Sequence, residues 1–110
     1  MNKVIDWKLA DERTDGDHEL AKELLQILIA SIPKHLKEID QYHSHHNLEK
    51  LLASVHKLHG ATCYCGTPKL KNAANKLETA IKSNKTEKID SLCKQLHDEM
   101  NAVLTAYKKI

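Results

Sequence analysis

A chain of 110 residues is long enough for one domain with a modest core. The AVILMFWYC set makes up 41% and charged residues 29%, while three glycines, two prolines and no phenylalanine favour helix and give little sign of sheet. A net charge of +2 with Arg13 as the only arginine argues against nucleic-acid recognition, no apolar run approaches the roughly 20 residues of a membrane span, and the N-terminus lacks a signal peptide's apolar segment.

Residues 1–15 read as a short lead-in helix, with Trp7 and Leu9 closing one end of a core. Thr14-Asp15-Gly16-Asp17 is a turn from which Asp15 or Asp17 caps the next helix. That helix shows apolar positions Leu20, Leu24, Ile27, Leu28 and Ser31 or Ile32. Pro33 either kinks it or opens a continuing helix, and Leu36, Ile39 and Tyr42 carry the period to about residue 43. His43-Ser44-His45-His46-Asn47 is a polar break, with Asn47 as the next cap. A helix to about Cys65 follows, ended by Gly66 in left-handed conformation. Thr67-Pro68, cap plus first-turn proline, opens a helix with core face Leu70, Ala73, Ala74, Leu77 and Ile81. After Ser83-Asn84-Lys85, Thr86 is the candidate cap of a last helix carrying Ile89, Leu92, Leu96, Met100, Val103 and Tyr107. Four substantial helices on short turns, each with one apolar stripe, make an all-α, up-and-down antiparallel four-helix bundle with a short N-terminal helix, a single domain over 1–110.

Cys63, Cys65 and Cys93 are odd in number and fit no disulfide framework. On a helix, Cys63 and Cys65 point about 200° apart, so reduced thiols in a cytosolic setting are expected.

The most informative stretch is Val55-His56-Lys57-Leu58-His59-Gly60. Leu48, Leu51, Leu52, Val55, Leu58 and Thr62 fall within an arc of about 120°, and His56 sits just outside its edge. Gly60 lies one turn further on the same flank. A mid-helix glycine costs roughly 0.5–1 kcal/mol relative to alanine. Either clearance beside the His56 ring or close helix packing justifies that cost. An imidazole with an ordinary pKa near 6.5 keeps a free lone pair at neutral pH, which suits it to accept a phosphoryl group.

His56-Lys57-Leu58-His59-Gly60-Ala61, then Gly66, Leu70 and Glu78, resembles the signature of the histidine phosphotransfer (HPt) domain. That signature is histidine, any residue, Leu or Ile, Lys or His, then glycine. Ile5-Asp6-Trp7, Arg13, Gly16-Asp17 and Glu19-Leu20-Ala21 resemble the opening of the same family, so the match spans most of the chain. The stretch from His56 through Cys63-Tyr64-Cys65-Gly66-Thr67-Pro68 is most similar to the C-terminal modules of tripartite hybrid sensor kinases.

The resemblance implies that His56 is phosphorylated by a receiver-domain aspartate and passes the group to a response-regulator aspartate. It makes Gly60 the gap that admits the receiver. His59 stands where many relatives have lysine, so it either donates a hydrogen bond or lines the helix seam. Lys57, Lys69 and Lys71 are expected to seat the acidic receiver, within a segment where six lysines between 69 and 88 face only Glu78 and Glu87. No cofactor of its own is implied, the Mg2+ belonging to the partner receiver domain. The partners implied are receiver domains of a hybrid sensor kinase and of a response regulator, with no nucleic acid and no membrane contact by a monomeric, cytoplasmic domain whose parent is a membrane-anchored kinase in some relatives. With no Gly-rich nucleotide loop or Walker-type lysine, the chain is expected to relay phosphate stoichiometrically and not draw it from ATP. Two other readings stand beside this one. His43, His45, His46 and the cysteines supply metal-ligand types without an organised spacing. A passive helical adaptor would leave His56 incidental.

Overall fold

A computed structural model describes residues 3–110. Five α-helices follow one another: α1 Trp7–Arg13, α2 His18–Ser44, α3 Leu48–Thr62, α4 Pro68–Lys82 and α5 Ile89–Lys108. Helices α2 to α5 form a closed ring in which each packs on its sequence neighbours and α5 returns to α2. Short connections make the neighbours antiparallel, which gives the up-and-down four-helix bundle. The 27-residue α2 sets the long dimension of a body measuring 40 × 23 × 23 Å. Among the described residues, no helix is long and apolar enough to cross a membrane.

Local chemistry accounts for most helix starts. The Asp6, Asp17 and Asn47 side chains accept from the backbone N–H groups of Leu9, Leu20 and Lys50 and so cap α1, α2 and α3. Asp17 is thus the cap at the first turn, and not Asp15, which takes a left-handed φ of 54°. Pro33 lies inside an unbroken α2. Pro68 occupies the first turn of α4 as expected, but the Thr67 side chain before it makes no capping bond. Thr86 opens a single 3₁₀ turn, Thr86–Lys88, and α5 starts after Lys88 without a side-chain cap. Helix α3 stops at Thr62, and residues 63–66 turn tightly into Gly66 at φ +65°.

The core is built from Leu25, Leu28, Ile32 and Ile39 of α2, Leu51, Val55 and Leu58 of α3, Leu70, Ala73, Ala74 and Leu77 of α4, and Leu96, Met100 and Val103 of α5. The stripe of α2 is therefore rotated from the one its sequence suggests. Leu20 and Ile27 are exposed, while Ala21 and Leu25 take the buried places. The apolar positions of α2 extend past the face that packs on α1, α3 and α5, so this outer edge stays in solvent. Trp7 closes the end of the core as expected, but the buried residue of α1 is Ala10, not Leu9.

Helix α1 is tied down at Gly66. The Asp6 N–H donates to the Gly66 carbonyl at 2.7 Å. A Cβ at residue 66 would overlap the Asp6 carbonyl oxygen and stand 2.7 Å from the Ala10 Cβ, at a backbone angle L side chains avoid. Gly66→Ala is expected to destabilise the domain by about 2–4 kcal/mol in urea unfolding, since strain and overlap act together.

Candidate functional site

The site forms where the third turn of α3 faces the third turn of α4. Glu78 projects from α4 at the margin of its apolar stripe and is only 5% exposed. An ionised carboxylate is acceptor-only, and its burial demands donors. Three arrive. His56 Nδ1 lies 2.7 Å from Oε2, His59 Nδ1 lies 2.8 Å from Oε1, and Lys82 Nζ lies 3.1 Å from Oε2. Burial pushes the Glu78 carboxyl up, but hydrogen bonds from His56, His59 and Lys82, with the Lys82 charge added, bring it down to about 2.

This fixes the protons. Because Glu78 stays ionised, each Nδ1 must carry the hydrogen it donates. In neutral His56 the lone pair is then on Nε2, on a side chain that is 71% exposed. The buried carboxylate holds one edge of the ring while the other stands in solvent. His59 is the more enclosed partner, 24% exposed, and makes a hydrogen bond instead of simply lining the seam.

Gly60 is open: an added Cβ would meet no heavy atom within 4 Å outside its own helix backbone and chain neighbours. The mid-helix glycine is therefore not explained by close helix packing. It borders a groove of about 360 Å³ between α2 and α3, with Leu24, Ile27, Lys57 and Tyr64 among its walls. Ile27 and Tyr64 are 66% and 57% exposed, which is unusual for such side chains so close together. Lys57 stands exposed on this groove, Lys69 is exposed at the start of α4, and Lys71 faces a separate cavity with Arg13 and His59.

Sequence reasoning set Glu78 among the residues of the family resemblance but gave it no role at the site, and it missed Lys82. Glu78 reads as one of two acids offsetting a lysine-rich face, whereas it is buried. The available signal was a carboxylate at the edge of the α4 stripe matched to histidines at the edge of the α3 stripe, with Lys82 at i+4 from it.

Cys65 and Cys93 are buried in the core, whereas Cys63 gives its Sγ hydrogen to the His59 carbonyl at 3.5 Å. Burial pushes the Cys65 and Cys93 thiols up to about 11 and about 12, with Cys63 raising the first and Asp90 and Asp40 the second. Cys65 and Cys93 therefore stay protonated at neutral pH, and none of the three cysteines is in a disulfide. His43 bonds Asp90 across the end of the bundle at 2.7 Å, and no three His, Cys, Asp or Glu side chains among the described residues gather as metal ligands.

The fold and the site together, a four-helix bundle presenting an exposed imidazole held at Nδ1, have the form of a histidine phosphotransfer domain. The chain belongs to the Hpt domain family, whose pattern it matches over residues 23–106. It is 33% identical over 110 residues to the signal transduction histidine-protein kinase BarA of Shigella flexneri, covering 99% of this chain and 12% of that protein. It is 31% identical over 78 residues to the phosphorelay intermediate protein YPD1 of Candida albicans, covering 68% of this chain and 42% of that one. A solved HPt domain from a hybrid histidine kinase of Shewanella superposes with a TM-score of 0.90 at 30% identity, over 96% of this chain and 92% of that one. The chain thus spans about an eighth of the length of its kinase relative.

The lowered Glu78 carboxyl carries a sign for stability. A depressed folded-state value contributes stability that is complete above the ordinary carboxyl range near 4.5 and is lost as pH falls towards 2. The contribution is about 3 kcal/mol. Glu78→Gln is expected to be less stable than the parent at pH 6 and to lose most of that deficit by pH 2–3, measured by urea unfolding across this range.

Proposed function

We propose that His56 is the phosphoryl carrier of a phosphorelay, receiving the group from one receiver-domain aspartate and passing it to another. The observation that supports this best is the His56–Glu78 pair, a free Nε2 on a ring immobilised from behind. In the transfer, the Nε2 lone pair attacks phosphorus and the N–P bond forms. The P–O bond of the aspartyl phosphate breaks, and its electron pair leaves on the receiver carboxylate. No proton has to move. The ring becomes cationic, with the Nδ1–H already facing the Glu78 carboxylate, so the charge created by phosphorylation is matched in place. The reverse step regenerates the neutral imidazole.

Transition states of this kind are loose, so alignment and electrostatics supply most of the rate. The receiver brings Mg2+ and the acidic pocket, and this chain brings an oriented nitrogen without a cofactor. The groove beside Gly60 is the docking face: Leu24, Ile27 and Tyr64 offer apolar area to the receiver. Lys57 at its rim offers charge, and Lys69 and Lys71 extend the positive surface past the Gly66 turn. Within a longer hybrid kinase the same domain would take phosphate from that kinase's own receiver and deliver it to a separate regulator.

Incubation with a phosphorylated receiver should label the chain with phosphate that survives alkali and is lost in acid. His56→Gln should abolish the label while keeping the fold by circular dichroism. Labelling that persists in this variant rules the assignment out.

Gly60 separates clearance from packing. Gly60→Ala should leave stability unchanged or raise it by about 0.5–1 kcal/mol, because alanine is the better helix former and the space is empty. Gly60→Gln should slow transfer at least tenfold through collision with the docked receiver, read in single-turnover kinetics. Ile27→Asp should slow it similarly without loss of stability.

A further inference from the structure

A second cavity, of about 280 Å³, opens on the side of His59 that faces α1. Arg13 at the end of α1, His59 on α3 and Lys71 on α4 line it, with Asn72 and Asn75 and the first turn of α4. Its lining contains no carboxylate. Among the described residues neither Arg13 nor Lys71 is ion-paired, although the chain is rich in acids. Two fixed cations from different elements therefore share one concavity with nothing to neutralise them.

The start of α4 adds donors. Thr67 holds the capping position but makes no capping bond, so the Lys69 and Leu70 N–H groups have no side-chain acceptor there. Thr67 belongs to the cavity wall, is 1% exposed, and its Oγ1 has no hydrogen-bond partner among the described residues. A buried hydroxyl left orphaned beside an uncapped helix start and two unpaired cations is the signature of a missing acceptor.

We propose that this cavity binds a tetrahedral oxyanion, either free phosphate or the phosphate group of a small ester, held by Arg13, Lys71 and the first turn of α4, with His59 as a proton-linked third donor. His59 gives its Nδ1 hydrogen to Glu78, so a neutral ring turns the Nε2 lone pair outwards and repels an anion. Only the imidazolium donates from both nitrogens. The charged and titratable groups around His59 are Glu78 and Lys71 from α4, Arg13 from α1, and Cys63 and the Glu78-linked His56 from α3, with Lys82 reaching it through Glu78. Oxyanion binding therefore takes up a proton at His59 and tightens as pH falls.

The site is independent of whether His56 relays phosphate. The test is a titration of the ¹⁵N-labelled full chain with inorganic phosphate, at ionic strength held constant with KCl. Saturable shifts are expected at the amides of Thr67, Lys69 and Leu70 and on the His59 ring. Arg13→Gln/Lys71→Gln should weaken binding at least tenfold, whereas Lys37→Gln/Lys50→Gln, the same change of charge at exposed lysines outside the cavity, should bind like the parent. Sulfate, whose charge is constant between pH 6 and 8, should bind at least threefold tighter at pH 6, and His59→Gln should lose that dependence. Glycerol phosphate identifies the source: tighter binding than phosphate assigns an ester that also uses Asn72 and Asn75, and equal or weaker binding assigns the free ion. Shifts that rise linearly, that chloride reproduces, or that survive unchanged in the double variant overturn the proposal.

Discussion

A carboxylate taken out of water must recover its hydration from the protein, or it will neutralise or refuse burial. Glu78 recovers it from three donors on two helices, and the rest of the site follows from that requirement. Two imidazoles are pinned by one carboxylate, one on each oxygen, so one acceptor sets both tautomers. Lys82 contributes the fixed positive charge on the oxygen that also holds His56. A lysine one turn along α4 thus brings constant charge close to the site although position 59 is a histidine.

The bundle keeps this arrangement rigid. Leu51, Val55 and Leu58 beneath the histidines and Leu70, Ala73, Ala74 and Leu77 before Glu78 are all buried, so α3 and α4 cannot slide without breaking the core. At the far end of α3, Gly66 receives the Asp6 N–H and docks α1, which brings Arg13 beside His59 and Lys71. One turn with no room for a side chain therefore shapes the surroundings of the site from a distance.

The bundle was legible because helix periodicity is a local property. The stripes of α3, α4 and α5 fall where their apolar spacing puts them, with Leu92 and Tyr107 only half-buried. Helix α2 misled because its apolar arc is wide enough to serve two surfaces, and no local rule says which half meets the core. Ile27 looks like core in sequence and stands in solvent beside Tyr64 and Gly60. His56 and Gly60 were readable through motif and helical phase. Glu78 was quoted with the motif, but its role was not readable, because its burial depends on which residues of α3 arrive opposite it, and that register appears only when the helices pack.

In the relay proposed here, the same geometry would let the carrier be both stable and transferable in its phosphorylated form. The imidazole has only one nitrogen to offer, and the other is committed to an acceptor that prefers the ring when it is cationic. A phosphoryl group on Nε2 makes the ring cationic, so Glu78 favours the loaded state without touching the phosphoryl oxygens. Being buried and acceptor-only, it has no proton with which to protonate the phosphoryl oxygens or the departing nitrogen. Hydrolysis would gain nothing from it, whereas in the proposed relay a receiver aspartate aligned through the Gly60 gap would meet a ring already held for in-line attack. Selectivity between loss to water and delivery to a partner would then rest on access and alignment, and the proposal gives the open flank of α3 as much weight as the nucleophile.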